Sequence, residues 1–110
     1  MSVVVCGDCS PERANDAFYD YRGVRAKIEF EDTAIGSVTH AKGDVYCWVS
    51  DTDLCSTIFH EMVHVAFTIC EVKGMKRDEE LIAYLVGWLK INVVEKIQDL
   101  RDAREAEGTE

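Results

Sequence analysis

The sequence predicts an α+β fold: a small antiparallel sheet packed on two helices. Three observations lead there. Val24, Ala26, Ile28 and Phe30 alternate with Arg25, Lys27, Glu29 and Glu31, the period of a strand with one face on a core. Residues 45–49, VYCWV, are a short run of β-branched and aromatic side chains. From Leu54 to Arg101 the apolar spacing changes to that of helices.

Taken in order, Ser10-Pro11-Glu12 is a helix start, with serine as N-cap, proline at the first helical position and an acid in the first turn. It opens a helix over residues 11–19 that stops before Gly23. Strands are expected over 24–31, 35–41 and 45–49, the last two joined by a turn at Lys42-Gly43-Asp44. Ser50-Asp51-Thr52-Asp53 breaks the third strand. Asp51, Thr52 or Asp53 then caps a helix that runs to Glu71, with Gly74 at its stop. Asp78 caps a second helix, expected over 79–101. Its first third, LIAYLVGWL, is apolar on every side and predicts burial all round. Residues 102–110 read as a frayed, solvated tail. No repeat or linker divides the chain, so residues 1–110 form one domain, sheet-rich over 1–52 and helical over 53–101.

Composition narrows the function. The 110 residues are 47% hydrophobic and 30% charged with one proline, which suits a globular chain. Twelve Lys+Arg against 21 Asp+Glu leave a formal charge of −9, which repels phosphate backbones and argues against nucleic-acid binding. No apolar run reaches the roughly 18 residues of a membrane span, and the N-terminus lacks the basic segment of a signal peptide. Five cysteines cannot all pair within one chain, and without a secretion signal they read as reduced thiols in a cytoplasmic protein.

The strongest chemical signal is His60-Glu61-Met62-Val63-His64. Helical positions four apart share a face, so both imidazoles can reach one zinc ion. Glu61 is turned about 100° from His60 and can face water near that ion without ligating it. A catalytic zinc needs a third protein ligand and an open position. A downstream histidine in HExxHxxGxxH is excluded, because Phe67 and Cys70 stand at the required glycine and histidine positions. Upstream Cys47 or Cys55, or an acid of Asp78-Glu79-Glu80, remain. At about 100° per residue, Glu80 shares a helix face with Ala83 and Gly87, small residues that would admit the histidine helix, whereas Glu79 projects with Lys90. Glu80 is therefore the preferred third ligand.

HEMVH followed by Glu80-Leu81-Ile82-Ala83-Tyr84 is similar to the HExxH and glutamate-helix pair of gluzincin metallopeptidases, and the run ELIAYLVG resembles small metallopeptidase-like proteins encoded in bacteriophage genomes. The resemblance covers residues 53–89. It implies His60, His64 and Glu80 as zinc ligands, Glu61 as general base and acid, and a peptide or protein substrate. Larger gluzincins carry NExxSD in the glutamate helix; here Tyr84 replaces the aspartate that would orient a ligand histidine. Only sixteen residues separate His64 from Glu80, and no large C-terminal subdomain supplies a further histidine.

Weaker features complete the reading. In zincin folds the strand before the active-site helix commonly binds extended peptide by strand addition. By resemblance, 45–49 would be that edge, with Tyr46 and Trp48 on one face; two aromatics packing on a core is the competing reading. Tyr84, Tyr46 and His40 are candidates for stabilising the oxyanion, His40 being more simply a strand residue. Cys6-Gly7-Asp8-Cys9 could hold half of a second metal site. The expectation is a zinc metalloendopeptidase, Glu61 deprotonating water and zinc polarising the carbonyl. Two alternatives stand beside it: an amide hydrolase with a cysteine third ligand, and a non-catalytic binding protein stapled by zinc.

Overall fold

The structure is a computed structural model that describes residues 1–23, 35–51 and 55–108. The elements run β1 (Val3–Gly7), α1 (Pro11–Arg22), β2 (Gly36–Ala41), β3 (Asp44–Val49), α2 (Cys55–Lys73), α3 (Glu79–Leu89) and α4 (Glu95–Gly108), with a π-helical turn at Lys90–Val94 between the last two. The α+β class is as expected. The strand expected over 24–31 lies outside the described residues.

The sheet corrects the expectation in two ways. It is mixed rather than antiparallel: β2 pairs antiparallel to β3, but β1 pairs parallel to it, with Val3 opposite Val45 and Gly7 opposite Val49. The order β1-β3-β2 also puts β3 in the middle, so residues 45–49 are not an edge. Burial explains the placement. All of Val45, Tyr46, Cys47, Trp48 and Val49 are buried, as suits a strand covered on both faces. Val45, Cys47 and Val49 face the core formed with Ile58, Met62, Val65, Ala66 and Ile69 of α2. Tyr46 and Trp48 face Ala14 and Phe18 of α1. The β2–β3 hairpin turns at Lys42 and Gly43, both at positive φ, the backbone of the two-residue turn that matches strand twist.

Local chemistry bounds the helices as the sequence implies. Ser10 caps α1, accepting from the Arg13 N–H, and the helix extends past the expected Tyr19 to Arg22. Gly74 ends α2 at φ 64°. Its N–H donates to Glu71 and the Met75 N–H to Cys70, the paired bonds of a Schellman close. Asp78 caps α3 through bonds from the Glu80 and Leu81 N–H groups.

The C-terminal helix departs from expectation. The segment LIAYLVGWL is not buried all round. Ile82, Leu85, Val86 and Leu89 pack on the core, while Tyr84 is 70% and Trp88 43% exposed. Residues 102–108 are helical rather than frayed. The π turn carries buried Val94 into the core, and Asn92 donates to the Trp88 carbonyl there. Among the described residues, no helix is long and apolar enough to cross a membrane.

Candidate metal centre

The centre of the site is one face of α2. His60, His64 and Thr68 lie one turn apart along it, and the face is covered from the side by β2. Gly36, Ser37, Val38, His60, Glu61, His64 and Thr68 line an open cleft of about 350 Å³. Thr68 donates its hydroxyl to the His64 carbonyl, which occupies that hydroxyl and leaves the imidazoles to each other.

The two Nε2 atoms are 3.2 Å apart, with ring centroids 4.9 Å apart and planes at 72°. Without an ion, one ring donates to the other. With an ion, the spacing fits: two Zn–N bonds of about 2.0–2.1 Å at a near-tetrahedral angle hold their nitrogens about 3.3 Å apart. Both side chains are exposed, so ligand exchange at the ion would be open to the cleft.

Glu61 reaches into the seam between α2 and β2 on the β2 side of the same cleft and is only 4% exposed. A Cβ built on Gly36 would stand 2.6, 2.7 and 2.8 Å from its Cγ, Cδ and Oε1. Only glycine lets β2 lie this close to the carboxylate. The strand is held there by Ser50, whose N–H and hydroxyl both donate to the Ile35 carbonyl. Burial pushes the Glu61 carboxyl above its ordinary range, and the neighbouring His64 and His60 partly offset this. Desolvation wins because the seam excludes water on the side away from the histidines.

The structure brings His60, Glu61 and His64 together and leaves the other sequence candidates apart. Glu80 is exposed on α3, on the side away from the core-packed Ile82, Leu85, Val86 and Leu89. The small-residue face that was expected to receive α2 is open: a Cβ on Gly87 meets nothing within 4 Å. Among the described residues, no third His, Cys, Asp or Glu completes a metal-binding group. Tyr84 stands on the same outer face as Glu80 and does not line the cleft. Tyr46 is fully buried on the α1 side of the sheet, its ring edge-on to Phe18 and its hydroxyl unpaired. His40 is exposed near the turn end of β2, away from the cleft-lining Gly36–Val38 end. Cys47 faces α2, and burial with the nearby Glu61 charge pushes its thiol well above the ordinary range, the opposite of what a thiolate ligand requires. The Cys55 side chain lies outside the described residues. Cys6 and Cys9 meet on the α1 side, Sγ to Sγ 3.3 Å.

Sequence reasoning missed the β2 wall of the cleft and Thr68. Thr68 was findable, since His60, His64 and Thr68 repeat every four residues. Gly36 was not, because nothing local links it to a residue 25 positions on. Comparison of the chain with protein-family models, curated proteins and solved structures returns no match.

Proposed function

We propose that the chain is a zinc-dependent peptide-bond hydrolase, with His60 and His64 as protein ligands and Glu61 as general base. The observation that carries the reading is the imidazole pair at a chelating distance of 3.2 Å beside a carboxylate sealed under Gly36. Bound zinc would supply Lewis-acid polarisation and acidify water. The remaining work falls to the chain. Glu61 takes a proton from the attacking water and returns it to the leaving amine, a role worth roughly 10²–10⁴-fold. Its raised proton affinity, set by burial, suits an acid–base group that must both accept and donate. Gly36, Ser37 and Val38 form the cleft wall on a strand that, among the described residues, pairs only with β3.

A zinc staple fits less well, because a structural zinc is closed by four protein ligands and the described residues bring together two. Glu80 is the sequence's candidate for the third ligand, and its outward placement makes it separately testable. Loss of zinc in Glu80→Gln would mean that α3 turns toward α2 when metal binds. Retention would leave the third position to a residue other than Glu80.

The deciding experiment pairs zinc stoichiometry with cleavage of a diverse peptide pool. Wild type is expected to bind zinc and cleave, Glu61→Gln to bind zinc and not cleave, and His64→Ala to lose both. A zinc-loaded wild type as inert as Glu61→Gln overturns the hydrolase reading and favours a binding protein.

A further inference from the structure

The face of the sheet opposite the histidines carries a second pair of reactive side chains. Cys6 is the penultimate residue of β1, Cys9 stands one residue before the N-cap of α1, and their sulfurs are 3.3 Å apart, close to van der Waals contact, with both thiols free. Asp8, between them, has φ 60°, a left-handed turn that folds the four-residue segment back on itself. The Cys9 carbonyl accepts from the Trp48 indole N–H at 2.8 Å, which ties the loop to the central strand. Both thiols are partly exposed and pack against the Trp48–Phe18 cluster.

Two chemistries suit adjacent thiols: soft-metal binding and disulfide formation. A structural zinc is closed by four protein ligands, and the described residues bring only these two together here. A disulfide needs only these two sulfurs, already in contact. We propose that Cys6 and Cys9 form a thiol–disulfide exchange site whose substrates are disulfides of the glutathione class. This inference does not depend on the hydrolase reading.

The Cys9 thiolate attacks one sulfur of the glutathione disulfide; the Cys9–glutathione bond forms, the substrate's S–S bond breaks, and one glutathione thiolate leaves. Cys6 then loses its proton to solvent and attacks the Cys9 sulfur, forming the Cys6–Cys9 bond and expelling the second glutathione. Two protein thiols are oxidised and one disulfide is reduced to two thiols. The order follows from burial, which with the Cys9 contact pushes the Cys6 thiol up to about 12. Cys6 is therefore a poor first attacker. Once Cys9 carries glutathione, the resolving attack is intramolecular between sulfurs held together by the loop, and proximity replaces reactivity.

The test equilibrates the full chain in glutathione buffers from reducing to oxidising, blocks free thiols with an alkylating agent, and maps the linkage by peptide mass. Emission is followed in a Trp88→Phe background, where Trp48 alone reports. The expected result is loss of two hydrogens located to the Cys6–Cys9 peptide, with a Trp48 emission change reversed by dithiothreitol. Cys6→Ser is expected to accumulate one glutathione on Cys9, and Cys9→Ser none on Cys6. The proposal is overturned if no buffer yields the Cys6–Cys9 link, if both variants take up glutathione equally, or if zinc alone protects both thiols from alkylation. Should either variant fold poorly, the wild-type linkage map alone decides.

Discussion

Replacing Gly36 by alanine probes how tightly β2 pins the proposed base. The new Cβ would stand 2.6 Å from Glu61 Cγ and 2.8 Å from Oε1, against an ordinary carbon–carbon contact of about 3.5–4.0 Å. The side chain must therefore retreat by about 1 Å, and at 4% exposure it has little free space to retreat into. Overpacking of this kind costs about 1–3 kcal/mol, less the roughly 0.5–1 kcal/mol that alanine gains over glycine in a strand. A net loss of about 1–2 kcal/mol corresponds to a fall in Tm of about 5–10 °C for a chain of this size. A 1 Å misplacement of a reacting group costs about 10²-fold in rate. Thermal denaturation and peptide cleavage of Gly36→Ala beside wild type read both effects. A variant as stable and as active as wild type would refute the argument that the glycine positions the carboxylate.

Other perturbations have expected signs. Gly87→Ala should stabilise the fold by about 0.5–1 kcal/mol in chemical denaturation, since helical glycine is costly and the added Cβ meets nothing within 4 Å. Asp78→Ala should destabilise by about 1 kcal/mol in the same assay, because it removes the acceptor for the Glu80 and Leu81 N–H groups. Cys6 has a folded-state value raised to about 12 from the ordinary 9.0. Its stabilisation is thus complete below pH 9 and is lost as pH climbs toward 12. Denaturant midpoints of the reduced protein should fall across that window in wild type, and less steeply in Cys6→Ala.

The parts of this fold that were legible in the sequence are those that local chemistry dictates. Ser10, Asp78 and Gly74 bound helices through bonds made within a few residues of themselves, so their roles could be read directly. The HEMVH spacing likewise predicts the meeting of His60 and His64, because one helical turn suffices. What escaped depends on partners far away in the chain. The strand β1 offers only VVVCG, and its parallel pairing with β3 has no local signature. In VYCWV, alternation puts Tyr46 and Trp48 on one face, but the unbroken apolarity is the mark of a strand covered on both sides. In LIAYLVGWL, hydrophobicity alone overstated burial: Ala83 and Gly87 have little side chain to hide, and Tyr84 turns outward with them. That rotation also separates Glu80 from the histidines, which no count of residues between motifs could reveal.

The π turn at Lys90–Val94 changes the screw phase of everything after it. A continuous α-helix from Glu79 would advance about 100° per residue without interruption, and the widened turn absorbs one extra position. The registration that results points Ile97, Leu100 and Arg104 across a small gap at Val5, Gly7 and Asp8, with Arg104 reaching Asp8 at 3.6 Å. Were residues 90–94 to wind at the regular α pitch instead, with no residue removed, these three side chains would swing about a quarter of a circle away. The last helix would keep its length and its own hydrogen bonds yet face the wrong neighbours, so where it faces is set by the width of one turn.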